Sequence, residues 1–132
     1  MVNILVCDDD KEIAGALEIY LRNEGYNVFK AYDGMEALNI VKQNQIHLIL
    51  MDVMMPNLDG IQATMKIREE NNIPIIMLSA KSEDYDKIIG LNVGADDYIT
   101  KPFNPLELIA RVKSHLGRFT RLGSMDAESK EG

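Results

Sequence analysis

Apolar residues follow two different periods along the chain, and the two alternate. Val2–Cys7 (VNILVC), Leu48-Ile49-Leu50-Met51 and Pro74–Leu78 (PIIML) are short, nearly unbroken apolar runs. Tyr26–Ala31 (YNVFKA) and Tyr98-Ile99-Thr100 are more mixed. Runs of this length and β-branched content predict strands, and the unbroken ones predict strands buried on both faces of a parallel sheet. Between the runs, apolar positions step by three and four. They fall at Ile13, Ala14, Leu17, Tyr20 and Leu21 within residues 11–24, and at Ala37, Leu38 and Val41 within Met35–Lys42. The same spacing places Ile61, Met65 and Ile67 in Gly60–Glu70, and Ile88, Ile89 and Leu91 in Glu83–Val93. Leu106, Leu108, Ile109, Val112 and Leu116 continue it through residues 105–118. Each stretch predicts an amphipathic helix. Local chemistry supports the boundaries. Asp10 suits an N-cap, Gly25 the residue after a helix, Asp33-Gly34 a turn and Pro105 a first helical turn.

The pattern is therefore a strand followed by a helix, five times. It predicts an α/β fold: a doubly wound, five-stranded parallel sheet with helices on both faces. Right-handed crossovers and the flavodoxin-like order 2-1-3-4-5 bring the ends of strands 1, 3, 4 and 5 to one rim, beside the point where the strand order reverses. Asp8 and Asp9, Asp52, Ser79 and Lys101 stand at those ends. Three clustered carboxylates repel one another, and a hard divalent cation relieves that repulsion. A cation, the Lys101 ammonium and the Ser79 hydroxyl around one carboxylate make a receptor for a phosphoryl group, with Asp52 as the attacking oxygen. Each residue alone has a plainer explanation. Asp52 could cap a turn, Ser79 could be a turn residue, Lys101 a solvated charge and Asp8–Asp10 a capping cluster. All four would have to coincide at four strand ends.

Composition narrows the setting. The chain has 132 residues, enough for one domain with a single core. Its net charge of −7 argues against this domain binding nucleic acid by itself. The single Cys7 lies inside the first apolar run and reads as a small core residue; the lack of other cysteines suits a reducing, cytoplasmic setting. No apolar run approaches the ~20 residues of a membrane span, and Met1 leads directly into a strand without a basic leader, so no membrane partner is expected.

The residues quoted so far carry a resemblance. Asp8-Asp9, MDVMMPNLDG around Asp52, MLSA with Ser79, and DDYITKPF with Lys101-Pro102 together resemble the receiver domains of two-component response regulators. The stretch GADDYITKPFNPLELIARVKSHLGR is similar to the OmpR/PhoB-type subfamily. The resemblance implies a receiver domain over residues 1–119, phosphorylated on Asp52 by a sensor histidine kinase. It implies Mg²⁺ as cofactor, held by Asp9, Asp52 and the backbone carbonyl of Met54, with Asp8 placing a metal-bound water. Ser79 and Tyr98 would be the switch pair, Lys101 would bind the phosphoryl oxygen, and the Lys101-Pro102 bond would be cis. Met54 and Lys81 stand at positions that tune dephosphorylation; neither is a carboxamide, which implies a long-lived phosphorylated state. The chain would catalyse its own phosphoryl transfer and slow dephosphorylation but would not be an enzyme otherwise.

The resemblance also implies partners. Phosphorylation would favour a homodimer through the helix at 83–93, the strand at 98–100 and the helix at 105–118. Reciprocal ion pairs would be drawn from Lys87 with Glu107, and from Asp96 or Asp97 with Arg111 and Arg118. A two-fold interface must be self-complementary, which mixed charge on one patch satisfies. Residues 120–132 lose the apolar period and read as a linker or tail. In the subfamily a winged-helix DNA-binding domain follows such a linker, so DNA would be reached, and transcription controlled, only through a domain absent from this chain. One alternative belongs to a different class: a Mg²⁺-dependent phosphohydrolase working through an aspartyl-phosphate. It would need a substrate pocket or cap insertion, and the predicted loops are short.

Overall fold

A computed structural model describes residues 1–80 and 89–117. Five strands run through it: β1 (Asn3–Cys7), β2 (Asn27–Ala31), β3 (Leu48–Asp52), β4 (Ile75–Ala80) and β5 (Asp97–Lys101). Helices α1 (Lys11–Asn23), α2 (Gly34–Gln43) and α3 (Gly60–Arg68) connect the first four. Residues 89–92 form the described part of α4, and residues 105–117 form α5. The sheet is wholly parallel, in the order β2-β1-β3-β4-β5. This is the order expected from the alternation. Lys81, Lys87, Arg118 and the tail at 120–132 lie outside the described residues.

The period of two along each strand sorts the core into two layers. Ile4, Val6, Leu48, Leu50, Ile76, Leu78 and Ile99 pack with Leu17 and Leu21 of α1 and Leu108 and Val112 of α5. Leu5, Cys7, Ile49, Met51, Ile75 and Met77 pack on the other face with Ala37 of α2 and Ala63 and Ile67 of α3. Cys7 is fully buried and free, as a core residue should be; burial, then the nearby Asp8 and Asp52 charges, push its thiol pKa well up and keep it inert.

Helix ends follow the local chemistry. Asp10 Oδ1 accepts from the N–H groups of Glu12 and Ile13 at 2.9 and 3.3 Å, closing the start of α1. Gly25 follows the end of α1 with φ 90°, where a side chain would be strained. Several element ends shift by a residue or two from the sequence reading, β4 at both of its ends. β4 begins one residue after Pro74, which has no N–H to give a ladder, and it runs on to Ala80. It continues because β5 supplies partners as far as Ser79↔Thr100 and Ala80↔Lys101.

Candidate functional site

The alternation that builds the core also places the polar groups. Asp8, Asp52 and Lys101 each lie two residues beyond Val6, Leu50 and Ile99 and so continue the parity of those buried residues. All three side chains therefore emerge on the same side of the rim. Lys101 Nζ donates to Asp8 Oδ2 at 2.8 Å and to Asp52 Oδ1 at 3.0 Å, linking the end of β5 to the ends of β1 and β3, neither of which is its neighbour in the sheet. Asp8 is fully buried, and its other oxygen accepts from the Asp10 N–H at 2.9 Å. Asp9 is exposed at the mouth. One carboxylate oxygen from each of Asp8, Asp9 and Asp52 can be chosen so that all lie within 4.8 Å of one another.

The electrostatics of this rim are unbalanced. Burial, then the Asp8 charge, push the Asp52 carboxyl up to about 6, against the pull of Lys101. Burial works against the Lys101 ammonium, but hydrogen bonds to Asp8 and Asp52 outweigh it and raise its pKa. Three carboxylates thus share one ammonium. The all-oxygen donor set and the residual negative charge fit a hard divalent cation.

Ser79 sits on the neighbouring strand end, with the opposite parity to Leu78. Its Oγ is buried with no hydrogen-bond partner among the described residues. A buried hydroxyl left without a partner costs free energy on the order of 1–3 kcal/mol. Tyr98 is half-buried on β5 and packs against the core layer that holds Met77 and Ala95. The Lys101-Pro102 peptide is cis.

The loop from 53 to 59 carries Met54, whose side chain is 71% exposed. Its near end is pinned where Val53 N–H donates to the Leu78 carbonyl at 3.0 Å and Gly60 N–H donates to the Val53 carbonyl at 2.9 Å. Gly60 has no room for a side chain: a Cβ there would collide with the Asp52 carbonyl oxygen. This role was half visible in the sequence, where the helical spacing begins at Gly60. Asp59 Oδ1 accepts from the Gln62 N–H at 2.8 Å as the N-cap of α3.

Of the charges expected on the face made by β5 and its flanking helices, Asp96, Asp97, Glu107 and Arg111 lie among the described residues and have partners in the same chain. Arg111 Nη1 donates to Asp97 Oδ1 at 2.9 Å, and His115 Nε2 lies 3.0 Å from Asp97 Oδ2. Arg111 also reaches Glu107 at 3.5 Å. Asp96 Oδ2 accepts from Arg68 Nη2 and from the Ile75 N–H, both at 2.8 Å. His115 and Arg68 were not among the residues singled out from sequence. His115 lies within the stretch that carries the subfamily resemblance and Arg68 lies in no quoted motif; only the tertiary fold brings them to these carboxylates.

Comparison with known proteins adds to this geometry. The family model described as the response regulator receiver domain matches residues 4–113. The regulatory protein VanR of Enterococcus faecium is 48% identical over 127 residues, covering 96% of this chain and 55% of its own. The solved receiver domain of Francisella response regulator 1452 is 42% identical with a TM-score of 0.84, covering 90% of this chain and 99% of its own. DrrB of Thermotoga maritima, described as an OmpR/PhoB homolog, is 38% identical with a TM-score of 0.81, covering 89% of this chain and 54% of its own. The chain spans about half the length of the curated relatives it matches. These matches are to signalling proteins and lend no support to a phosphohydrolase. Among the described residues the loops also stay short, the longest being the seven residues from 53 to 59.

Proposed function

The chain belongs to the response regulator receiver domain family, a signalling family of phosphorylation-activated switches rather than classical enzymes, and from that premise we propose that Asp52 is its phosphoryl acceptor. A carboxylate oxygen of Asp52 attacks the phosphorus of a phosphohistidine on a sensor kinase. A new P–O bond forms, the P–N bond breaks, and the imidazole leaves. Lys101, bonded to Asp52, would neutralise charge on the transferred group, and the Ser79 hydroxyl, which has no partner among the described residues, would donate to it. Asp9, Asp52 and the Met54 carbonyl would hold Mg²⁺, with Asp8 behind them, and when bound the ion would help neutralise phosphoryl oxygens. The observation that carries this reading is the bridge from Lys101 to both Asp8 and Asp52 at the end of the central strand.

We place the switch output on the face made by α4, β5 and α5. Drawing the Ser79 hydroxyl toward a phosphoryl group vacates space that Tyr98 fills, and Tyr98 adjoins Asp96 and Asp97. The cytoplasmic setting, the kinase partner, the linker at 120–132 and control of transcription through a following DNA-binding domain belong to the same reading. The acceptor assignment is tested by incubating the protein with acetyl phosphate and Mg²⁺ and measuring intact mass. Wild type gains one phosphoryl group and Asp52→Asn gains none. Equal labelling of the two proteins rejects the assignment.

A further inference from the structure

The loop at 53–59 is tied down at its far end by residues that the phosphoryl chemistry does not explain. Asn57 has φ 66°, a left-handed conformation that costs an ordinary residue roughly 1 kcal/mol and that Asn tolerates better than most. Glycine would satisfy that backbone at no cost, but it would lose the amide. Here Nδ2 of Asn57 donates to Asp33 Oδ2 at 2.7 Å, a short bond strengthened by the carboxylate charge. Asp33 is itself fixed, because its other oxygen caps α2 through the Glu36 N–H at 2.8 Å. A second tie lies beside the first: Gly34 N–H donates to the Leu58 carbonyl at 2.9 Å, and a Cβ on Gly34 would collide with that same oxygen. The backbone carrying Met54 therefore hangs between two anchors, β4 and α3 at one end and the start of α2 at the other.

We propose that Asn57, through its hydrogen bond to Asp33, is a positioning residue that sets the Met54 carbonyl for divalent-cation binding. The proposal rests on the reading that Asp9, Asp52 and that carbonyl hold the ion. Outer partners that orient ligands govern affinity nearly as strongly as the ligands themselves. Releasing the side-chain tie frees the loop to sample geometries in which the carbonyl faces away from the carboxylates, and binding then includes the cost of reordering it.

The test is Mg²⁺ titration by calorimetry, with thermal unfolding of each variant measured without Mg²⁺. Asn57→Gly permits the same backbone conformation and deletes the tie, while adding some backbone freedom that the reversed pair below controls for; its Kd rises about tenfold. Asn57→Asp faces one carboxylate with another and weakens binding at least as much, although an added negative charge near the site would by itself strengthen it. Combining Asn57→Asp with Asp33→Asn restores donor and acceptor in reversed polarity, keeps a side-chain oxygen to cap α2, and recovers most of the affinity. A purely structural role would lower the unfolding temperature and leave Kd within about twofold of wild type, which overturns the proposal. Loss of affinity in Asn57→Gly without recovery in the reversed pair also overturns it. Wild-type protein that binds no Mg²⁺ would instead overturn the underlying reading of the site.

Discussion

Asp52 is held between opposing fields, and the balance has a measurable sign. Its folded-state pKa of about 6 lies above the ordinary 3.8, so the folded protein resists its ionisation. Below pH ~4 the carboxyl is protonated whether the chain is folded or not, and it costs nothing. As pH rises through 6 the folded state must hold an unwanted charge, a cost of ~1–2 kcal/mol after solvent screening at the rim. Without divalent cation, Asp52→Asn therefore unfolds at a higher temperature than wild type at pH 7.5, and the gap shrinks as pH falls toward 5. Mg²⁺ reverses the order by stabilising wild type through mass action and the variant much less. Thermal unfolding of both proteins across that pH range checks this; a gap independent of pH contradicts it. The rim residues were legible in the sequence because each ends an apolar run, so strand geometry alone places them. Asn57 was not legible as a functional residue. Its partner Asp33 is 24 positions away, and only the meeting of two loops joins them.

At the scale of elements, β5 and α5 are stitched together through Asp97. Burial pushes its carboxyl up, but the bond with His115, the Tyr98 N–H and the Arg111 charge outweigh that and hold it below the usual range. Both of its oxygens are engaged within the chain, Oδ1 by Arg111 and the Tyr98 N–H and Oδ2 by His115. A dimer that pairs Asp97 with a partner's arginine must share or exchange these bonds. Exposed ion pairs contribute only ~0–1 kcal/mol each, so the exchange is nearly balanced and a rotamer change at Tyr98 can tip it. We expect a monomer–dimer equilibrium moved by phosphorylation. Sedimentation velocity with beryllofluoride, a phosphoryl mimic, shifts the protein toward dimer in the micromolar range, and Arg111→Glu, which sets like charges together, weakens that shift. An unchanged distribution with the mimic rejects the mechanism. The amphipathic pattern of α5 was readable from Leu108, Val112 and Leu116, which are all buried. The intrachain pairing of its charged face was not, because sequence gives spacing along one helix and not the strand beneath it.

Over the whole molecule, topology connects the chemistry to the output. The sheet order seats β3 between β1 and β4, so Asp52 meets Asp8 on one side and the Ser79 strand on the other. β5 then carries Lys101 at its end toward the site and Tyr98 three residues earlier, beside the surface that would change. A doubly wound parallel sheet was readable because unbroken apolar runs require cover on both faces and connections are right-handed, but those rules alone do not choose between the flavodoxin-like order and other doubly wound orders. Helix and strand ends moved by a residue or two wherever a ladder partner or a cap, rather than the apolar pattern, decides where an element stops. The central claim is that one carboxylate on this rim accepts the phosphoryl group, and the most direct measurement locates it. After phosphorylation with acetyl phosphate and Mg²⁺, borohydride reduction converts the acyl phosphate to homoserine, and peptide mass spectrometry reads its position. The account predicts homoserine at residue 52 alone; homoserine at Asp8 or Asp9, or none at Asp52, contradicts it.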